Sequence, residues 1–141
     1  MSVVNSRIEV LASNLGRRVA SVSGLISHAG CQEQPSHCDF DPKLYAGVPM
    51  SPLGVLVATQ SLTSLMRRHL GAMSRVDIHR GDAVLFRADF IHAGSAYKSL
   101  NFRMHAYLDT EEFVAPMGHT FLVDLPVAET SARFPRSCKK E

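Results

Sequence analysis

The chain has 141 residues, enough for about one domain of the usual roughly 100 to 200 residues. It is 45% hydrophobic and 20% charged, a balance that supports a packed core and excludes general disorder. The formal net charge is only +2, with the basic residues scattered along the chain. We therefore expect no nucleic-acid partner, because proteins that bind nucleic acids carry a dense basic surface.

The cysteines and the apolar segments bear on the cellular compartment. Cys31, Cys38 and Cys138 form no CxxC pair, and an odd number does not fit a disulfide framework. Polar residues interrupt the N-terminus before an apolar signal region could form, and no later apolar run approaches the roughly 20 residues of a membrane span. We expect a cytoplasmic protein with no membrane association.

The first predicted element is a short helix over residues 6–16. Ser6 and Glu9 form the S-x-x-E pattern of a capping box, and Gly16 supplies a C-terminal stop. After Gly16 the pattern changes to short runs rich in β-branched residues, separated by Gly, Pro, Asn and Asp. The predicted strands cover about residues 18–28, 53–59, 62–66, 75–79, 83–87, 90–93, 102–108 and 120–125.

These runs predict an all-β fold. No helical pattern separates successive strands, so an antiparallel sandwich or barrel is favoured over a parallel sheet. The segment LTSLMRRHLGAM also fits a helical period, but its neighbours favour a strand. We expect a single domain over residues 1–141, with a helical leader at 6–16, a core at 18–126 and a polar tail at 135–141 that is disordered at its end.

The segment QPSHCDFDP holds His37 and Asp39 two residues apart. In an extended strand such residues point to the same side, so an imidazole and a carboxylate could reach one metal ion. So short a motif also arises by chance, and a loop histidine beside a solvated aspartate is the alternative interpretation.

A second histidine, His92, lies in FIHAGSAY and follows the apolar run AVLF. The small residues after it, Ala93, Gly94 and Ser95, predict open space next to its ring, which a substrate-binding metal needs. A core histidine that is hydrogen-bonded to the backbone is the alternative for this residue taken alone.

The segment NFRMHAYLD alternates polar and apolar residues. Arg103, His105 and Tyr107 share one face of the predicted strand, and the other face is apolar. If the polar face lines an interior cavity, the guanidinium of Arg103 needs an anion. If that face points outward, Arg103 is an ordinary surface residue, and the alternation is compatible with both arrangements.

Together, the three segments predict a metal centre. Two histidines and one carboxylate leave three positions of an octahedron open, the facial arrangement of non-haem Fe(II) oxygenases. Arg103 lies eleven residues after His92, where its planar donors could take the distal carboxylate of a dicarboxylic co-substrate. A zinc site built from Cys31, Cys38 and His37 is disfavoured, because a fourth ligand at tight spacing is missing.

Two segments carry a resemblance to a known family: SHCDFD and RGDAVLFRADFIHAGSAYKSLNFRMHAYLD. Over residues 18–109 the chain resembles the Fe(II)- and 2-oxoglutarate-dependent dioxygenases, and it looks closest to the branch that includes phytanoyl-CoA hydroxylases and prolyl hydroxylases. The resemblance implies a double-stranded β-helix, or jelly roll, which fits the predicted run of about eight antiparallel strands after a short N-terminal helix. Fewer residues precede the first strand than is usual in the family, which leaves open a minimal enzyme or a piece of a larger protein.

By position, the resemblance implies that His37, Asp39 and His92 ligate Fe(II) and that Arg103 anchors the co-substrate 2-oxoglutarate. A second contact to 2-oxoglutarate would come from a polar side chain, for which there are three candidates: Tyr97, Ser95 and Thr59. The implied reaction hydroxylates a C–H bond with O2 and converts 2-oxoglutarate into succinate and CO2.

The substrate stays open between a small molecule and a protein side chain, and the oligomeric state is not predicted. Three other functions fit the same fold. They are a cupin-like metal enzyme that needs no co-substrate, an oxidative nucleic-acid demethylase, and a non-catalytic binding or scaffold module with a vestigial metal site. The near-neutral charge and the lack of an aromatic and basic groove disfavour the demethylase.

Overall fold

A computed structural model describes residues 2–45, 48–69, 72–110, 121–122 and 138–140. Within these ranges the chain forms two helices and ten strands. In chain order they are α1 (Ser2–Asn14), β1 (Arg18–Ser27), β2 (His37–Cys38), α2 (Pro42–Tyr45), β3 (Leu53–Ala58), β4 (Thr63–His69), β5 (Ala72–Ile78), β6 (Ala83–Arg87), β7 (His92–Gly94), β8 (Asn101–Asp109), β9 (Phe121–Leu122) and β10 (Cys138–Lys140).

The strands form two five-stranded sheets that face each other. One sheet has the order β10-β1-β8-β3-β6 and the other β5-β4-β7-β2-β9, and the paired strands are antiparallel. One apolar cluster joins Leu56, Ala58 and Phe86 of the first sheet to Leu65 and Ile78 of the second. The fold is therefore a double-stranded β-helix, and the predicted all-β class is confirmed.

Helix α1 covers the outer face of the first sheet. Its residues Ile8 and Ala12 are buried in a second apolar cluster with Val55, Ala106 and Leu108. Full burial of an Ile, Val or Leu side chain contributes roughly 1.5 to 3 kcal/mol to stability. Tertiary packing of this apolar face therefore holds the helix in place. No described helix is long and apolar enough to cross a membrane.

The two ends of α1 compare differently with the sequence prediction. Gly16 follows the helix with a φ of 64°, a left-handed conformation that suits glycine, so the predicted stop is confirmed. The predicted start at Ser6 is wrong, because the helix is already formed there and the Ser6 hydroxyl donates to the Val3 carbonyl at 3.0 Å. Val4 packs against the same apolar cluster, which extends the helix beyond the local capping pattern.

The eight predicted strand regions all contain strand. The ends of the first seven are shifted by at most a few residues, and the last is described only at Phe121–Leu122. Residues 63–66 belong to β4, so the strand interpretation of that segment is confirmed and the helical one is wrong. Strand β2 was not predicted, because it is only two residues long. The predicted disorder of the tail is wrong for Cys138–Lys140, which form β10 and pair with residues 25–27 of β1.

Strand β8 lies between β1 and β3 and has two distinct faces. Ala106 and Leu108 point towards α1, where they belong to its apolar cluster. Arg103 and His105 point to the other face and are 5% and 7% exposed. The polar face of this strand therefore lines the interior, and the alternative of an outward Arg103 is wrong.

Candidate metal centre

The three predicted metal ligands converge inside the jelly roll. His37 on β2 and His92 on β7 are cross-strand partners, and their ring centroids are 4.6 Å apart. Asp39 follows β2 directly, and the ligand atoms of the three residues all lie within 4.8 Å of one another. His37 is 6% exposed and the other two are 9% exposed, so the cluster is largely shielded from bulk water.

Both imidazoles are oriented by the backbone. His37 Nδ1 lies 2.8 Å from the Pro35 carbonyl oxygen, and His92 Nδ1 lies 3.1 Å from that of Phe90. A carbonyl oxygen only accepts, so each Nδ1 carries the proton and each Nε2 keeps its lone pair. The two Nε2 atoms lie 3.7 Å from the Asp39 carboxylate, an arrangement typical of histidines that ligate a metal.

Asp39 holds the negative charge of the cluster. Its Oδ2 atom is buried without a well-aligned hydrogen bond to a described residue, although His105 Nε2 lies 3.3 Å away. Burial alone would raise the pKa of Asp39, but the contact with His105 and the nearby imidazoles of His92 and His37 outweigh it and hold that pKa well below its usual range. The carboxylate is therefore ionised at neutral pH.

The residues of the cluster fit a divalent transition metal. Ligand atoms held about 2.0 to 2.2 Å from one ion lie roughly 3 to 4.4 Å apart, and the two nitrogen–oxygen distances of 3.7 Å fall in that range. Burial lowers the pKa of His92 to about 4, so its imidazole is neutral at pH 7 and can bind a metal without first losing a proton. An ion here would also satisfy the orphaned Asp39 Oδ2.

Arg103 lies on the strand next to the cluster, two residues before His105. Its Nη1 donates to the Ser27 hydroxyl at 2.9 Å, and its guanidinium carbon lies 5.3 Å from the centre of the Tyr97 ring. No carboxylate among the described residues lies within ion-pair distance of this guanidinium. A buried cation without a counter-charge is costly, so the geometry favours an anionic ligand at this position.

The candidates for a second contact to 2-oxoglutarate lie in different places. Tyr97 lies against Arg103, but its hydroxyl already donates to the Ser64 carbonyl and accepts from the Ser64 N–H. Ser95 is 3% exposed, and its hydroxyl has no hydrogen-bond partner among the described residues. Thr59 donates to the Phe102 carbonyl and lines a cavity under α1, so it is not brought together with the others.

Residues that the sequence analysis did not assign complete the surroundings of Asp39. His105 contacts the carboxylate and packs edge-on against Tyr107, with ring centroids 4.6 Å apart. Burial, followed by the charge of Asp39, raises the pKa of Tyr107, so its phenol stays neutral. The sequence signal for both residues is their alternation with Arg103 on β8, which predicts a shared face and packing of His105 beside Tyr107 but does not point to Asp39.

The predicted open space after His92 is not found at Gly94. The Gln34 side chain fills it, and its Oε1 accepts the Gly94 N–H at 2.9 Å. A Cβ atom at Gly94 would lie 2.5 Å from that oxygen, so a larger residue there would displace the Gln34 side chain. The His92 ring is instead packed by Phe86 and Phe90, at centroid distances of 4.9 and 5.7 Å.

The remaining histidines and cysteines form no further metal site in the part of the chain that the structure describes. Cys31 and Cys38 are buried free thiols, and neither joins a group of three possible ligands, which argues against the zinc alternative. His28 and His79 are exposed. His119 lies outside the described residues.

Comparisons with known proteins give structural likeness only. No protein-family model matches the sequence, and no curated protein matches it. Among solved structures, a non-haem monooxygenase, ThoJ in complex with nickel, is 16% identical with a TM-score of 0.57, over 82% of this chain and 55% of that one. This likeness shows a shared fold, and 16% identity does not carry an activity from one protein to the other.

Two further solved structures are similar at lower scores. SnoK, a non-haem α-ketoglutarate-dependent carbocyclase from nogalamycin biosynthesis, is 16% identical with a TM-score of 0.49, over 72% of this chain and 55% of that one. A Klebsiella pneumoniae protein with a double-stranded β-helix domain is 13% identical with a TM-score of 0.43, over 72% and 84%. The chain therefore spans about half the length of the two enzymes.

Proposed function

We propose that this protein is an Fe(II)- and 2-oxoglutarate-dependent dioxygenase that hydroxylates a C–H bond of its substrate. The observation that carries the proposal is the buried group of two imidazoles and one carboxylate, with both Nε2 atoms 3.7 Å from the Asp39 carboxylate. The buried Arg103 on β8 of the facing sheet supports it, because this cation lacks a carboxylate partner among the described residues.

Each residue has a separate role in this proposal. His37, Asp39 and His92 would hold Fe(II), and three neighbouring positions would stay open for co-substrate and O2. Bound Fe(II) supplies the oxidising chemistry: 2-oxoglutarate and O2 give succinate and CO2, with one oxygen atom entering succinate and the other the substrate C–H bond. The protein itself contributes orientation and the exclusion of water, since the cluster is buried.

Arg103 would hold the distal carboxylate of 2-oxoglutarate. Its Nη1 is already fixed by Ser27 and its flat face lies over Tyr97, so the guanidinium is held in one orientation before any ligand arrives. A planar fork of donors matches a carboxylate in a bidentate pair. Of the candidates for the second contact, Ser95 is the one with a buried hydroxyl still unsatisfied among the described residues.

We also propose that the protein belongs to the branch of phytanoyl-CoA and prolyl hydroxylases and that it works in the cytoplasm. The likeness to phytanoyl-CoA and prolyl hydroxylases rests on the sequence motifs alone. The two buried free thiols, Cys31 and Cys38, support the reducing cytoplasm as the compartment.

Anaerobic loading with Fe(II) and 2-oxoglutarate tests the proposal. We expect about one equivalent of iron, a weak visible absorbance when 2-oxoglutarate is added, and succinate after exposure to O2. His37→Ala and Asp39→Ala should abolish all three, while His79→Ala, whose side chain is 92% exposed, should change none. Circular dichroism checks that each variant folds.

Two results would contradict the proposal in different ways. A folded protein that takes up neither iron nor 2-oxoglutarate would indicate the scaffold module. Iron binding without any dependence on 2-oxoglutarate would indicate a cupin-like enzyme. Where succinate does form, mass spectrometry of a treated metabolite extract should find a product heavier by one oxygen atom, which identifies the substrate.

A further inference from the structure

A second cavity lies at one side of the jelly roll, next to the metal cluster. It has a volume of about 970 Å³ and lies between β4 and β5 of one sheet and β6 of the other. Strands β5 and β6 are the outer strands of their sheets, so the two sheets are open to solvent here. The volume is at the upper end of the roughly 300 to 1,000 Å³ that small-molecule sites occupy.

The apolar wall of this cavity is also the wall of the metal cluster. Phe86 and Phe90 line the cavity, and their rings lie 4.9 and 5.7 Å from the His92 ring. Phe90 is stacked on His92 with an interplanar angle of 15°. A molecule that rests on these two phenyl rings is therefore one side chain away from the metal ligands.

The cavity also carries a cationic side chain without a described counter-charge. Among the described residues, its lining holds Arg67, Arg68, Arg87 and one carboxylate, Asp89. Arg87 Nε lies 3.1 Å from Asp89 Oδ1, so that pair is internally compensated. No carboxylate among the described residues lies within ion-pair distance of Arg67, which favours an anionic occupant.

Strand register places one of these arginines beside the metal cluster. Arg67 and His92 are cross-strand partners on β4 and β7. Partners of this kind project from the same face of a sheet with Cβ atoms about 4.5 to 5.5 Å apart. The Arg67 side chain thus starts next to a proposed iron ligand and reaches into the cavity.

We propose that this cavity binds a small organic anion with an apolar body. Arg67 pairs with its carboxylate, sulfonate or phosphate, while the apolar part packs on Phe86 and Phe90. The two phenyl rings lie between the cavity and the His92 ring, so the anion binds beside the cluster and its binding does not depend on the proposed oxygenase function.

A matched pair of dyes tests the cavity without knowledge of the natural anion. The probe 1-anilinonaphthalene-8-sulfonate is an apolar anion, and N-phenyl-1-naphthylamine has the same ring system without the charge. The chain contains no Trp, so dye fluorescence can be read without indole emission. Both dyes are titrated into folded, Fe(II)-loaded protein under anaerobic conditions, and thermal unfolding of each variant shows that the dye reports a folded site.

We expect one site that prefers the sulfonate. Arg67→Gln should weaken binding of the anionic dye about tenfold and of the neutral dye less than about twofold, because one charge-assisted contact is lost. Arg67→Lys should keep most of the affinity, and Phe90→Ala should weaken both dyes. Arg75→Gln is the control, since Arg75 lies on β5, pairs with Asp77 and does not line this cavity.

The outcomes separate the two proposals. Equal affinity for both dyes, or anionic binding that Arg67→Gln leaves unchanged, would overturn the cavity proposal even if iron and 2-oxoglutarate bind. Charge-selective binding that depends on Arg67 would uphold an anion site in this cavity even if the protein forms no succinate. In that second case the oxygenase function would fail and the anion site would stand.

Discussion

Replacing Arg103 by Gln separates a ligand-binding arginine from a structural one. The side chain is 5% exposed and lies on β8 between Leu25 of β1 and Ala58 of β3, with one hydrogen bond to Ser27. No described carboxylate neutralises it in the ligand-free protein. Removing a buried, unpaired charge often leaves stability unchanged or raises it. We therefore expect ligand-free Arg103→Gln to unfold at the same or a higher urea concentration than the wild type.

The expected effect on 2-oxoglutarate is large. Breaking a buried ion pair by removing one partner costs about 3 to 5 kcal/mol, and each 1.4 kcal/mol is a factor of ten. The Kd for 2-oxoglutarate should therefore rise by roughly two to three and a half orders of magnitude. Arg103 would hold the end of the co-substrate that is distant from the reacting carbon. The KM for 2-oxoglutarate should therefore rise strongly, while kcat should change little. Arg103→Lys keeps the charge but lacks the planar fork of donors. Its Kd for 2-oxoglutarate should therefore lie between those of the wild type and Arg103→Gln.

Ligand-dependent stability provides the assay. At a 2-oxoglutarate concentration 100 times its Kd, the free energy of unfolding of the Fe(II)-loaded wild type should rise by about 2.7 kcal/mol. Denaturation under anaerobic conditions measures this change. At the same concentration Arg103→Gln should gain almost nothing, while the control Arg18→Gln, an exposed residue of β1, should behave as the wild type. An unchanged KM in Arg103→Gln would refute the anchor role. Strong destabilisation of the ligand-free variant would assign Arg103 to the fold instead.

Three further substitutions test the surroundings of the cluster and the packing of α1. His105→Phe removes the imidazole 3.3 Å from Asp39 and should lower Fe(II) affinity about 10- to 100-fold in a chelator competition; unchanged affinity would leave it a packing role. Leu108→Ala, at a position with no exposure, should lower the free energy of unfolding by about 2 to 5 kcal/mol in urea, and a change near zero would contradict its place in the core. In the folded, metal-free protein, burial lowers the pKa of His92 to about 4, whereas the usual pKa of about 6.5 applies in the unfolded chain. Between these two pH values the unfolded chain binds a proton on His92 and the folded protein does not. Stability should then fall by up to about 2 kcal/mol from pH 7 to pH 5, and His92→Gln should lack this contribution.

The sequence predicts local features of the site better than non-local ones. The two-residue spacing of His37 and Asp39, and the alternation along β8, depend on neighbouring residues only, and both describe the structure correctly. The inward direction of Arg103 depends instead on α1, which covers the apolar face of β8 with Ile8 and Ala12. No local pattern in NFRMHAYLD contains that information, so the sequence left both directions open.

Other features were missed because they arise from contacts between distant segments. Strand β2 has two residues, too few for a periodic pattern, and it forms because His37 pairs with His92 across 55 positions of sequence. The residues of β10 have the pattern of a polar tail, and they form a strand because they pair with the edge of β1. The space beside Gly94 seemed open from its small neighbours, but Gln34 occupies it from another loop.

One strand links the parts of the proposed site that the sequence treats separately. The inner face of β8 carries Arg103, which donates to Ser27, then His105, which contacts Asp39, and then Tyr107, which packs against His105. Because side chains alternate with a period of two, a register slip of one residue would turn all three outward and bring Met104 and Ala106 inward. The long pairings of β8 with β1 and β3, and the cover of α1 on its outer face, resist such a slip. The same contacts that stabilise the fold therefore fix the distance between the proposed co-substrate anchor and the metal cluster.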